Sequence, residues 1–292
     1  MNATVDAAKG LRNGRDDDPD PIGLGSERHK SLFCRMLLDT HDPYAPAAIR
    51  WPKLDREARD RLASLPIWGT AVLTEGKASL RVTSYARTVT DPLLKKAIEL
   101  NGFEEARHKL VLANLVKAYG IELAPEPAYV TPRHTEWAFM VVGFSECIDS
   151  FFAFGLFDLA KRSGYFPAEL VDTFEPVIQE EARHILFFVN WVAWHERNLP
   201  WWKRPLFKAK ILAVWAFLIW ERIGIARAMD TAPQDNNFAV TGSKSIGTDV
   251  TPGALFQICL AENERRLSGY DRRLLRPAFV PHATRFALRF MR

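Results

Sequence analysis

The sequence predicts an all-α protein built on a four-helix bundle, with further helices at both ends. Three observations carry this prediction. The pentapeptide Glu-Glu-Ala-Arg-His occurs twice, at residues 104–108 and 180–184. Each copy sits in an apolar segment of helical length, and a second such segment precedes it with a solitary glutamate, Glu75 or Glu146. Turn signals at Thr90-Asp91-Pro92 and Ser163-Gly164-Tyr165-Phe166-Pro167 then fold the four segments into two antiparallel hairpins.

Taken in order, residues 1–27 are rich in Gly, Asp and Pro and read as a disordered tail. They contain no apolar stretch of the signal-peptide kind. Residues 28–66 read as an irregular N-terminal extension with a short charged helix near Asp55–Leu65. Residues 67–230 are assigned to the bundle and a fifth helix. The first bundle helix, 68–88, contains a single acid, Glu75. Asp91 can cap the second, about 92–119, and Pro92 suits its first position. Pro125, Pro127 and Pro132 mark 120–132 as the crossover between hairpins. The third helix is read at 133–162 and the fourth at 168–198. Pro176 falls inside the fourth, so that helix is either kinked there or starts later, near Phe174. Residues 231–251 are Gly, Ser, Thr and Asn rich and read as a flexible loop. Residues 252–292 read as a C-terminal helix, about 253–269, and a basic tail.

The chemistry lies in the spacing. Glu105 and His108 are three residues apart, as are Glu181 and His184. On a helix each pair shares one face, about one turn apart. Glu75 lies 16 residues before Asp91 and Glu105 lies 14 after it. Glu146 lies 19 before Tyr165 and Glu181 lies 16 after it. All four carboxylates therefore reach similar depth, mid-bundle. Their stripes read as core-facing: Val72, Ala78 and Val82 around Glu75, Phe139, Val142, Asp149, Ala153 and Phe157 around Glu146, Val177, Ile185 and Phe188 around Glu181. Four buried glutamates without counter-charge would protonate or need a cation. Two divalent metals would balance them. One Glu plus one Glu-x-x-His from each hairpin is the donor pattern of four-helix di-iron carboxylate sites.

On these residues, chiefly over 68–198, the chain resembles the ferritin-like superfamily of di-iron carboxylate proteins. The resemblance implies that Glu75, Glu105, His108, Glu146, Glu181 and His184 are the metal ligands and the catalytic set. The repeated acid-Glu-x-Arg-His string is similar to that of bacterial di-iron monooxygenases. It implies that Glu104 and Glu180 hold the ligand histidines and that Arg107 and Arg183 neutralise them. Ser150 matches weakly a threonine that such enzymes carry near their oxygen-binding side. The implied cofactor is two iron ions per chain, with manganese or a Mn/Fe pair as variants. The implied reaction is O2-dependent oxidation of an organic substrate, read as apolar from Phe139, Phe144, Phe151, Phe152, Phe187 and Phe188, which could equally be core. Iron storage and a dimanganese catalase use overlapping ligands and stay open.

Composition fits. The chain of 292 residues is 48% hydrophobic and 12% aromatic, ample for one large core. A net charge of +4 is modest evidence for an acidic partner rather than a nucleic-acid footprint. Cys34, Cys147 and Cys259 form no C-x-x-C, which points to the reducing cytoplasm and away from a rubredoxin-type iron site. No flavin, nicotinamide or Fe–S motif is visible, so electrons are expected from a separate ferredoxin or reductase. A homodimer is a further expectation. Trp191 to Trp220 is rich in Trp and Lys/Arg. It reads either as a fifth helix packed on the bundle or as an interfacial helix on a membrane, where Leu212, Trp215, Leu218 and Ile219 would face lipid. Glu221 could approach the metals, whereas His134 and His195 read as surface or structural.

Overall fold

A computed structural model describes residues 22–230 and 250–291, and the described residues form helices joined by irregular segments, with no strand. The helices are α1 (Glu27–Asp39), α2 (Arg56–Ser64), α3 (Trp68–Ala86), α4 (Pro92–Tyr119), α5 (Thr135–Ser163), α6 (Ala168–Asp172), α7 (Glu175–Asn198), α8 (Arg204–Asp230), α9 (Pro252–Ser268) and α10 (Phe279–Ala287). The expected tail lies outside the described residues as far as residue 21, and the expected loop does so over 231–249.

The four-helix bundle consists of α3, α4, α5 and α7. Helices α3 and α4 form one hairpin, and α5 and α7 the other, with α3 packed on α5. Local chemistry sets the ends. The Asp91 side chain accepts from Leu94 N, and Pro92 opens α4. Gly120 and Gly164 end α4 and α5 in the left-handed region, at φ 65° and 64°. Gly143 on α5 lies where an added Cβ would collide with the Phe188 ring of α7, so glycine sets how closely those helices approach. Helix α5 is apolar enough to cross a bilayer, with a hydropathy of 1.5, but 67% of that stretch is buried in the protein. It is covered by α3, α7, α8 and α9, which is why it is hydrophobic nearly all round.

The structure corrects three expectations. The fourth bundle helix read at 168–198 is interrupted, and of the two readings of Pro176 the later start holds, with Phe174 as the N-cap of α7. It is split into α6 and α7, with Pro176 in the first turn of α7, where its missing N–H costs nothing. Residues 28–66 are not merely irregular, because α1 buries Phe33, Cys34 and Leu37 between α4 and α7. Helices α4 and α7 touch each other little, and α1 fills the space on that side. The basic tail contains α10, with Val280 and Thr284 turned inward.

Helix α8 packs on α5 and α7 through Phe207, Val214 and Leu218, which are fully or almost fully buried. Trp215 is wedged between Phe144 and Phe279, with ring centroids 5.1 and 4.4 Å away. Trp215 and Leu218 therefore face protein, contrary to what a lipid-facing role would require of them, while Leu212 and Ile219 remain exposed.

Candidate metal centre

Each bundle helix delivers one carboxylate to a single level of the core: Glu75 from α3, Glu105 from α4, Glu146 from α5 and Glu181 from α7. His108 and His184 join them one turn along α4 and α7. These six fall into two clusters. One is Glu75, Glu105, His108 and Glu181, the other Glu105, Glu146 and His184, and donor atoms within each cluster lie within 4.8 Å of one another. Glu105 belongs to both and is placed to bridge.

The histidines aim the same nitrogen inward. His108 Nδ1 lies 3.1 Å from Glu181 Oε1 and 3.7 Å from Glu75 Oε2. His184 Nδ1 lies 2.8 Å from Glu105 Oε1. Yet His108 Nδ1, His184 Nδ1, Glu105 Oε1 and Glu146 Oε1 are all buried without a hydrogen-bond partner. Four unpartnered atoms divided between these two adjoining clusters, each costly to bury unpaired, fit bound cations.

The opposite nitrogens are held from behind. His184 Nε2 donates to Glu104 Oε2 at 2.8 Å, and His108 Nε2 donates to Glu180 Oε2 at 2.8 Å. A proton fixed on Nε2 leaves Nδ1 with a free lone pair, the tautomer a metal requires. The guanidinium groups follow the same crossed pattern. Arg183 donates to Glu104 at 2.7 Å, and Arg107 donates to Glu180. Two carboxylates and two guanidiniums, all 3% exposed or less, thus neutralise each other beside the histidines. His41, Glu104 and Glu180 also converge, but the two arginines already supply the positive charge there.

The electrostatics separate the two layers. Burial, then the charges of Glu105 and Glu181, pushes Glu75 up to about 8, although the His108 contact opposes this. Burial, then the Glu105 and Glu181 charges, holds Glu146 well above the ordinary carboxylate range. Burial would raise Glu104 as well. The hydrogen bond and charge of His184, then Arg183, overcome it and hold Glu104 well below the ordinary range. Burial alone would lower both inward-facing histidines, but their carboxylate partners raise them well above an ordinary imidazole. Glu75 and Glu146 are therefore short of positive charge and Glu104 is not, while burial of Glu181 is outweighed by the hydrogen bond and charge of His108, then His184, which hold it below the ordinary range.

A further layer comes from the stretch after α1, where the sequence points to no functional residue. His41 Nδ1 lies 2.6 Å from Glu104 Oε1, and the Tyr44 hydroxyl donates to Glu180 Oε2 at 3.3 Å. Arg107 donates to the carbonyls of Asp42 and Tyr44 at 2.7 and 3.2 Å and lies 3.9 Å from the Tyr44 ring centroid. No local signal marks His41 or Tyr44, because their partners lie 63 and 136 residues away. Partly exposed His41 also lines a surface cleft of about 480 Å³ with Arg35, Asp39 and Lys96.

Other expected residues are placed as follows. The Ser150 hydroxyl, buried, donates to Glu181 Oε2 at 3.1 Å and so touches the centre. Asp149 does not face the core with Glu146. It is 61% exposed and paired with Arg222 at 2.8 Å. Glu221 is exposed, pointing to solvent rather than to the centre. His195 stacks on Trp191 with centroids 4.9 Å apart, and His134 is exposed at the start of α5. The phenylalanines read as a candidate substrate lining pack on other rings, Phe139 on Tyr85 and Trp191 and Phe144 on Phe188.

No protein-family model and no curated protein matches the chain. Among solved structures, a mutant R2-like ligand-binding oxidase with an aerobically reconstituted Mn/Fe cofactor superposes with a TM-score of 0.42 at 13% identity. That alignment covers 89% of this chain and 99% of that one.

Proposed function

We propose that this chain is a di-metal oxidoreductase that uses O2 to oxidise an organic, apolar substrate. The observation that carries the reading is the pair of buried imidazoles. Each has Nε2 tied to a carboxylate and Nδ1 free among four inward glutamates. Ligands Glu75, Glu105 and His108 with Glu181 would hold one metal, and Glu105, Glu146 and His184 the other. Two iron ions, or a Mn/Fe pair, would supply there the electrons and the oxygen-activating chemistry that protein side chains lack.

The chain's own groups supply the rest. Glu104 and Glu180 keep the imidazole protons on Nε2, so that both Nδ1 lone pairs face the cluster. Arg107 and Arg183 set a guanidinium against each of those outer carboxylates. Ser150 holds one oxygen of Glu181 and thereby fixes which oxygen faces the metals. The Phe139, Phe188 and Trp191 rings exclude water beyond the histidines. Electrons come from a separate ferredoxin or reductase, in a reducing cytoplasm.

Fe(II) titration under anaerobic conditions tests this reading. Saturation at two equivalents per chain is expected, followed by O2 uptake on aeration and reductant-dependent turnover of a hydrophobic substrate. One tight iron or none would sink the di-metal reading. Accumulation of many irons per chain would indicate storage instead. Disproportionation of peroxide by the manganese-loaded protein, with no reductant, would indicate a catalase.

A further inference from the structure

Between Arg197 and Trp220 the chain has no acidic residue and five cations, Arg197, Lys203, Arg204, Lys208 and Lys210. Most of this stretch is α8, which is apolar on two opposite faces. The inner face packs on α5 and α7. The outer face carries Leu206, Leu212, Ile219, Trp220 and Ile223, which are 46–70% exposed, with Ala209, Ala213 and Ala216 exposed between them. From Leu206 to Ile223 the strip runs about 26 Å at 1.5 Å per residue. Lys208 lies at its edge, 3.3 Å from Glu196.

At the start of the strip a single 3-10 turn presents Trp201 and Trp202, 75% and 61% exposed, ring against ring. Lys203 and Arg204 follow directly, and neither has an acidic partner among the described residues. On the other side Phe279 of α10, 60% exposed, extends the apolar surface from Trp215. Exposed indoles beside cations that have no carboxylate partner, Arg204 being held only by the carbonyls of Leu199 and Arg197, match at one end of an apolar strip an interfacial lipid environment, where the rings sit at headgroup level and the cations meet phosphate.

We propose that this face docks on an anionic lipid surface, with α8 lying in the membrane plane, Trp201 and Trp202 at the headgroups, and Lys203, Arg204 and Lys208 on lipid phosphates. A second copy of the chain fits less well. A helix-on-helix seam centred on Leu212 would cover the strip but leave the indole pair and these cations in water. From Arg197 to Trp220 the sequence is acid-free, the charge pattern that a negative surface selects, and exposed Glu221 ends that run just before Ile223.

The test is sedimentation of the full-length, metal-loaded protein with vesicles of phosphatidylglycerol mixed with phosphatidylcholine, and with vesicles of phosphatidylcholine alone. Binding is expected on the mixed vesicles, weakened by salt, and much weaker on phosphatidylcholine. Lys203→Glu with Arg204→Glu should lower partitioning about tenfold or more. Leu212→Glu and Ile219→Glu, on the exposed face, should abolish it while the melting temperature and metal content stay unchanged. Equal failure to bind either vesicle would overturn the proposal. So would a dimer in light scattering that Leu212→Glu converts to monomer, since the strip would then be a protein interface. Binding that survives Leu212→Glu would overturn it too, by placing the lipid contact elsewhere.

Discussion

Glu104 on α4 accepts a 2.8 Å hydrogen bond from His184 on α7, and not from His108 on its own helix. Glu180 returns the arrangement from α7 to His108 on α4. Each Glu-Glu-Ala-Arg-His copy thus splits its work. Its second Glu and its His face the centre, where Glu181 clusters with His108 and Glu105 reaches both histidines, while its first Glu and its Arg hold the copy opposite. The repeat is the sequence trace of this crossed pairing, so neither half can position its histidine alone.

Glu105→Ala and Glu104→Ala should therefore behave differently, although the residues are adjacent. Glu105 lies in both donor clusters, and its removal should abolish two-metal occupancy. Glu104→Ala should leave two metals bound with affinity lowered about 10–100-fold, because only the orientation and tautomer of His184 are lost. Metal titration with competing chelators separates the outcomes. Complete loss of metal in Glu104→Ala, with Glu105→Ala intact, would show that the α4 register has been read wrongly.

His41 and Tyr44 touch Glu104 and Glu180 without approaching the inner cluster. His41→Ala should leave the stoichiometry at two and weaken binding less than Glu104→Ala, since Arg183 still holds the carboxylate. Tyr44→Phe should do less again, because its 3.3 Å hydrogen bond is long and Arg107 retains two backbone carbonyls in the same stretch. An affinity loss in His41→Ala as large as that in Glu104→Ala would mean that this stretch, and not the crossed pairing, holds the site together.

On α8, opposite faces should give opposite answers. Leu218 is fully buried against the bundle, so Leu218→Ala should cost about 2–5 kcal/mol through lost burial and the cavity left behind. Leu212 is 69% exposed, so Leu212→Ala should fall within about 0.5 kcal/mol of the parent. Denaturant unfolding at fixed metal loading measures both. Similar losses at the two positions would mean that the outer face is covered in solution.

How much of this is legible in the sequence depends on whether the signal is local. The three-residue spacing of Glu105 to His108 fixes a helical face, and the distances to Asp91 and Tyr165 fix depth, so the convergence of these six side chains is legible in the sequence. Pro176 is ambiguous there, because a proline fits both a kink and a first turn. The structure shows a first turn, preceded by a break after Asp172. Helix α1 is short, with six apolar residues among its 13, and packing between α4 and α7 is what buries Phe33 and Leu37. Asp149 is expected to face inward because it lies three residues from Glu146, and that expectation fails. At that point α5 turns its edge to solvent and to Arg222.

The inner cluster also predicts how pH acts on the metal-free protein. Glu75, raised to about 8, and Glu146, raised well above its ordinary value, bind protons more tightly folded than unfolded. Between the unfolded carboxylate value and those raised values the native state carries more protons, so stability falls as pH rises. His108 and His184 act in the same direction. Their folded values are raised, so the stability they add is full below about 6.5, the unfolded imidazole value, and is lost as pH climbs through the folded values. Glu104 and Glu181 are lowered, and their contribution is lost only below the ordinary carboxylate range. Melting temperatures of the metal-free protein should therefore decline from about pH 5 to about pH 8. Two bound divalent ions replace those protons as counter-charge, so the loaded protein should lose less over the same window and gain most from metal at its upper end. A metal-free melt that rises with pH across this window would show that the four glutamates are not sharing one buried site.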